Sequence, residues 1–266
     1  MNHSQNQRSK KFYREKYASG EYTQKTKPED NKEYQGIKKF IAANPGILQT
    51  TVFELGCGKG FFQGLFSDYV GLDIVEGLKV HFSKDKKFVV GTGNRLPFKK
   101  NSFGFLFSIH TLEHVPEPGD VLREIRRVVK DEGLVYLAPA WQCRSWAAHG
   151  YPVRPYSDFK LWGKIIKFSI PLRNSLLWRS LFIFPKRLFG LLRFLITGKP
   201  VLLFYKKLKP NLDVKWMSDS DAFNSMDPFL VILWFMSRGD SCLNYPGLLK
   251  ALFVRTGALT LKVNKK

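Results

Sequence analysis

Three glycines at alternate positions, Gly56, Gly58 and Gly60, follow the apolar run 52–55 in the stretch Val-Phe-Glu-Leu-Gly-Cys-Gly-Lys-Gly. Glycine at a turn between strand and helix permits positive φ and lets a ligand approach the main chain closely. Asp73 ends a second apolar run, Tyr-Val-Gly-Leu-Asp, thirteen residues after Gly60 and nineteen after Glu54. An acidic side chain at the end of the next strand can accept both hydroxyls of a ribose. The combination predicts a nucleoside-bearing ligand. Glu54 stands where a carboxylate could order the turn or meet an amine. A glycine cluster alone would equally suit an ordinary tight turn.

Two further groups could do chemistry. His110 is placed at the carboxyl end of a strand, where open α/β sheets bind ligands, and an imidazole with a pKa of about 6.5 suits a general base. The alternative is an imidazole that hydrogen-bonds ligand or backbone and moves no proton. The neighbouring Glu113 and His114 are read as structural, starting the next helix, with Glu117 and Asp120 complementing that helix's N-terminus. The segment 218–228 carries Asp219, Asp221 and Asp227 in a strongly basic chain. Asp227 before Pro228 reads as a helix N-cap. Asp219 and Asp221 are read as acceptor contacts, with pairing to nearby cations as the alternative. No metal site is expected.

The chain has 266 residues, 44% hydrophobic and 15% aromatic, which is ample for a core, and a formal net charge of +21. Its three cysteines, Cys57, Cys143 and Cys242, are scattered and odd in number. That argues against a disulfide scaffold and for a reducing cytosol. Residues 1–11 are polar and basic, unlike a secretory signal, and no apolar run is long enough to span a bilayer.

A charge this large implies an anionic partner. Residues 151–210 hold thirteen Lys and Arg against one acid, Asp158, interleaved with Leu, Phe, Ile and Trp. Arg179, Lys186 and Arg193 recur every seven residues, so they share a helical face. Such segments lie in the headgroup plane of an anionic bilayer. RNA-binding segments interleave cations with polar residues, so nucleic acid is the weaker reading. A helical cap packed on the domain is the structural alternative. Pro185 and the Gly198-Lys199-Pro200 stretch are expected to break this region into short helices.

Glu54–Gly60, Gly71-Leu72-Asp73, Arg95-Leu96-Pro97-Phe98, Asn101-Ser102-Phe103, Ser108–Val115 and Gly133–Leu137 occur in a characteristic order. Over roughly residues 35 to 140 the chain resembles class I S-adenosylmethionine-dependent methyltransferases of the type 11 domain. The resemblance implies an α/β, Rossmann-like fold with a seven-stranded, mostly parallel sheet and helices on both faces. It also implies S-adenosylmethionine as cofactor, with Glu54, Gly56, Cys57, Gly58, Gly60, Asp73, Ile74, Thr92, Gly93, Asn94 and Ser108 around it. Two positions depart from the family pattern. Thr92 stands where an Asp usually meets the adenine amine, and Gly104 stands where Asp often follows Ser-Phe.

The expected organisation is a basic, partly disordered segment 1–34, a cofactor-binding core 35–140, a basic amphipathic insertion 141–217 after the fifth strand, and a C-terminal completion 218–266. In the family, the stretch after the fifth strand covers the acceptor pocket. The N-terminal half and the acidic segment also resemble methyltransferases of bacterial surface-glycan pathways. That likeness implies a saccharide hydroxyl on a lipid carrier, met by a cytoplasmic enzyme at the inner face of the cell membrane. A quinone or other lipid, or RNA, is the rival acceptor. Outside the enzymes, a membrane-docking adaptor with a vestigial cofactor fold is the alternative.

Overall fold

The computed structural model describes residues 3–22 and 26–265. In chain order the elements are α1 (His3–Ala18), α2 (Lys32–Ala43), β1 (Val52–Leu55), β2 (Tyr69–Asp73), β3 (Lys87–Val90), β4 (Phe103–Ile109), α3 (Pro118–Val128) and β5 (Val129–Ala138). There follow α4 (Leu161–Asn174), α5 (Leu176–Thr197), β6 (Tyr205–Lys207), β7 (Asn224–Met226), α6 (Pro228–Met236), β8 (Ser241–Cys242), α7 (Leu248–Ala251) and β9 (Leu259–Lys262). Two compact units result: Met1–Leu112 with Glu117–Pro139 and Ala258–Lys266, and Glu113–Pro116 with Ala140–Gly257.

The sheet is seven-stranded and mostly parallel, in the order β3-β2-β1-β4-β5-β9-β8. β1 pairs in parallel with both β2 and β4, so the strand order reverses at β1. β9 runs antiparallel to β5. Open α/β sheets bind ligands at the carboxyl ends of the strands flanking such a reversal. Ile37 and Ile41 of α2 pack with Val52, Tyr69, Phe105, Phe107 and Tyr136 on one face. α3 starts with Pro118 at its first position and buries Val121, Leu122, Ile125 and Val128, an apolar stripe at helical spacing.

The structure departs from expectation at two places in this frame. The glycine turn is not followed by an α-helix: only a 3₁₀ turn, Gln63–Leu65, lies between β1 and β2. Thirteen residues separate Leu55 from Tyr69 and the glycine turn consumes the first of them, which leaves no room for a full crossover helix. The basic segment 1–34, expected to be partly disordered, carries α1, and Phe12 on that helix is buried. Residues 23–25 lie outside the described residues.

Gly104 has a packing explanation. The β4–β5 register shifts between Phe103 and Phe105, which turns Phe103 to stack on Phe53 at 4.8 Å. At that irregularity a Cβ on Gly104 would lie 2.6 Å from Cβ of Thr50.

In the second unit, Phe229 to Phe235 of α6 are all buried, as a helix apolar on every side must be. Asp227 caps α6 by accepting from the Phe229 amide, as the sequence predicts. Arg187 of α5, itself buried, donates from Nε to both Asp227 oxygens at 3.0 and 3.1 Å. Its other nitrogens donate to the carbonyls of Leu252 and Val254, so each guanidinium nitrogen has an acceptor. The helical region breaks at Ser175, whose side chain accepts from the Trp178 amide, and not at Pro185. Pro185 sits inside α5 on its exposed side, where water can satisfy the carbonyl one turn back. Gly198 ends α5 in a left-handed conformation.

Gly104→Asp is expected to lower stability by about 1–3 kcal/mol through overpacking against Thr50. Chemical denaturation checks this; an unchanged midpoint would contradict the packing account.

Candidate functional site

The first unit gathers the glycine turn, the end of β2 and two buried carboxylates. Gly56, Gly58 and Gly60 all adopt positive φ, at 77°, 51° and 72°. The Gly56 and Cys57 amides both donate to the Leu72 carbonyl, which folds the turn over the end of β2. Asp73 locks it there: Oδ2 accepts from the Gly58 amide at 3.0 Å and Oδ1 from the Val75 amide at 3.1 Å. At Gly56 a Cβ would strike the Thr111 side chain at 2.1 Å, so only glycine fits.

Glu54 and Asp73 are both buried, and neither is paired with a cation among the described residues. Desolvation pushes the Glu54 carboxyl well above the usual carboxylate range, against the Tyr69 hydroxyl that donates to it; repulsion from Asp73 adds to the rise. Asp73 is also raised by burial, opposed by the amides of Val75, Gly58 and Ile74. Burial, with Glu54 and Asp73 beside it, raises the Cys57 thiol far above its ordinary value, so Cys57 is a packing group and no nucleophile. A pocket with two buried, uncompensated carboxylates suits a ligand that brings positive charge and hydroxyl donors.

The remaining predicted residues divide. Gly91 donates its amide to the Asp73 carbonyl, which brings the 92–94 turn up beside the site, and Gly93 packs against Leu55 and Val121. Thr92 is half-buried and Asn94 exposed on that turn. Ser108 is buried with its hydroxyl donated to the Leu55 carbonyl at 3.0 Å, tying β4 to β1. His110 directly follows β4 with a left-handed backbone, φ 48°, and an exposed imidazole whose Nε2 is 3.4 Å from Glu33 Oε1. A non-glycine residue held in that conformation is uncommon and worth a functional reading.

Sequence reasoning missed Tyr17. Its phenol, on α1, lies over the glycine turn, 2.8 Å from where a Gly58 Cβ would stand. Burial raises its pKa well above normal, with Asp73, Cys57 and Glu54 adding to the rise. The available signal was the aromatic series Phe12, Tyr13, Tyr17 and Tyr22 inside an otherwise polar, basic segment.

In the second unit the acidic segment is built into the fold. Asp221 is buried, with Oδ2 3.3 Å from Nδ1 of His114. Glu113 accepts the Ala140 amide at 2.9 Å, and its carbonyl accepts the Phe223 amide. Glu113 and His114 thus anchor the 219–224 segment, where the sequence suggested helix initiation. Asp219 takes a positive φ of 63° and is half-buried. Among the described residues no cluster of His, Cys, Asp and Glu could hold a metal ion.

Residues 53–137 match the family described as a methyltransferase domain. A sterol 24-C-methyltransferase of Pneumocystis carinii is 34% identical over 118 residues, covering 38% of this chain and 31% of that protein. An uncharacterized methyltransferase of Mycobacterium tuberculosis is 34% identical over 97 residues, 33% of this chain and 38% of its own length. The chain therefore spans well under half the length of these relatives. Among solved structures, an S-adenosylmethionine-dependent methyltransferase of Mesorhizobium loti superposes with TM-score 0.39 at 17% identity, covering 45% of this chain and 59% of that one.

Because a raised carboxyl favours its protonated form, its contribution to stability is complete below the ordinary carboxylate range and is lost as pH rises through the raised value. Glu54→Gln removes that loss. The ligand-free variant is expected to melt higher than wild type at about pH 8, and the gap should close as pH falls. Calorimetric melting across that range checks it; a variant that melts lower at every pH would contradict it.

Proposed function

We propose that the chain is an S-adenosylmethionine-dependent methyltransferase whose acceptor is amphiphilic or lipid-linked, such as a saccharide on a lipid carrier at the membrane surface. The observation that carries the cofactor half is the glycine turn locked to Asp73 beside the buried Glu54, inside the stretch that matches a methyltransferase domain. The residues present fit the cofactor. Asp73 keeps lone pairs beyond those used by the Gly58 and Val75 amides, and these can accept ribose hydroxyls. Glu54 and Asp73 supply negative potential for a molecule with an ammonium and a sulfonium. Thr92 and Asn94 offer a hydroxyl and an amide to the adenine edge. When bound, S-adenosylmethionine supplies an electrophilic methyl group for in-line transfer.

The chain's own tasks are then alignment and proton removal. His110, exposed at the end of β4 with Glu33 beside its ring, is the candidate base for an acceptor hydroxyl. Gly104 gives no support to a vestigial domain, because its identity follows from Thr50.

The second unit supports the amphiphilic half of the reading. On α4, Leu161, Trp162, Ile165, Phe168 and Leu172 form one exposed stripe, with Trp162 77% and Phe168 79% exposed. On α5, Gly190 packs toward Leu230 and Leu233 of α6, while Leu181, Leu188, Leu192 and Leu195 face outward. Lys186 and Arg193 are exposed on the same helix, while Arg179 is half-buried and donates to Gln142. An apolar face of this extent bordered by cations suits the headgroup plane of an anionic bilayer. No helix among the described residues is long and apolar enough to cross a membrane.

Three outcomes are expected. S-adenosylhomocysteine binds the wild type in calorimetry, and Asp73→Asn weakens it at least about tenfold by losing a charged acceptor; no binding at millimolar ligand would overturn the cofactor reading. His110→Asn, which tolerates the left-handed backbone, lowers turnover by roughly 10²-fold or more with cofactor affinity unchanged; full turnover would remove His110 as base. In vesicle co-sedimentation, wild type pellets with phosphatidylglycerol-containing vesicles, and the double variant Phe168→Ser/Leu195→Ser does so much less. Equal pelleting of both would overturn the membrane reading.

A further inference from the structure

Within the second unit, α5 and the β6–β7 ladder line a half-open pocket of about 710 Å³. That volume lies inside the range of roughly 300–1,000 Å³ typical of small-ligand sites. Phe182, Phe189 and Leu230 give it an apolar wall, and Arg144, Lys186 and Lys206 bring three cations to it. Phe182 and Phe189 are also largely exposed, so the apolar wall continues out to the surface of α5.

The charge in this cavity is uncompensated. Asp227 also lines it, but that carboxylate is held by Arg187, by the Phe229 amide and by Gln142 Nε2. Among the described residues, none of Arg144, Lys186 and Lys206 is paired with a carboxylate. Arg144 is half-buried, and desolvation together with Arg179 lowers its pKa. Lys186 and Lys206 are exposed and Arg144 half-buried, so the three form a cationic rim beside an apolar wall, and an anion that also carries an apolar chain complements both. Neither a free phosphate nor a neutral lipid does so.

We propose that this cavity binds the phosphate end of a single-chain anionic amphiphile, an alkyl or isoprenoid phosphate, with the phosphate on Arg144, Lys186 and Lys206 and the chain along Phe182 and Phe189. This inference rests on the amphiphilic half of the function proposed above and names the chemistry of that amphiphile. It does not depend on the cofactor site, which belongs to the other unit.

The test uses the full chain and dodecyl phosphate below its micellar concentration, titrated calorimetrically beside inorganic phosphate and dodecyl maltoside. Dodecyl phosphate is expected to saturate one site, with both controls at least about tenfold weaker. The double variant Lys186→Glu/Lys206→Glu should weaken it at least about tenfold while keeping the helical circular dichroism and melting profile of wild type, which show that the second unit is folded. Leu192→Ser/Leu195→Ser, on the outer stripe away from the cavity, should leave dodecyl phosphate binding unchanged. The proposal is overturned if dodecyl phosphate does not saturate, if the maltoside or inorganic phosphate binds as well, or if the lysine variant binds normally. Failure of S-adenosylhomocysteine to bind wild type would count against the methyltransferase reading alone.

Discussion

The carboxylate of Asp73 is the constraint on which the site depends. It receives the Gly58 and Val75 amides on its two oxygens and so fixes the glycine turn to the end of β2. Without an α-helix after that turn, no helix dipole or row of free helical amides is available there. The site must rely on positive-φ glycines, on Asp73 and on the buried Glu54. Two buried carboxylates without a cation are costly to the empty protein. That cost is the physical reason to expect a cationic, hydroxyl-bearing ligand, and it places stability and binding in opposition at Glu54.

In the second unit the corresponding constraint is the Arg187–Asp227 pair. A buried ion pair needs further hydrogen bonds to offset its desolvation, and the Leu252 and Val254 carbonyls supply two. The pair ties one face of α5 to the cap of α6, which leaves the other face of α5 outward. The outward leucines and the phenylalanines beside the cavity are then consequences of one anchored cation. A sequence count that places every basic residue of 151–210 at the surface overlooks this: Arg187 serves the fold, and Arg179 donates to Gln142.

The glycine turn, its link to Asp73 and the α6 cap were legible because their determinants are local. Glycines at alternate positions, an acid at a strand end and the Asp227-Pro228 cap each act within a few residues, and all appear where the pattern predicts. What escaped depends on contacts distant in sequence. Tyr17 reaches Gly58 across about forty residues, and His114 meets Asp221 across more than a hundred. The Ser108 hydroxyl's bond to the Leu55 carbonyl likewise needs β4 beside β1. Pro185 misled because its usual effect on a helix applies to the backbone alone, whereas α5 is held by its packed stripe and capped by Ser175. Gly104 could be understood only once the β4–β5 irregularity was seen.

The proposed function pairs a methyl donor with an amphiphilic acceptor. It is tested most directly by incubating the full chain with membranes and S-adenosylmethionine carrying an isotopically labelled methyl group, then extracting with organic solvent and following the label by mass spectrometry. The account predicts label in the solvent-extracted, phosphate-bearing lipid fraction, formed together with S-adenosylhomocysteine and absent with Asp73→Asn. Label confined to RNA or to water-soluble products, or no turnover with any membrane fraction, would contradict it.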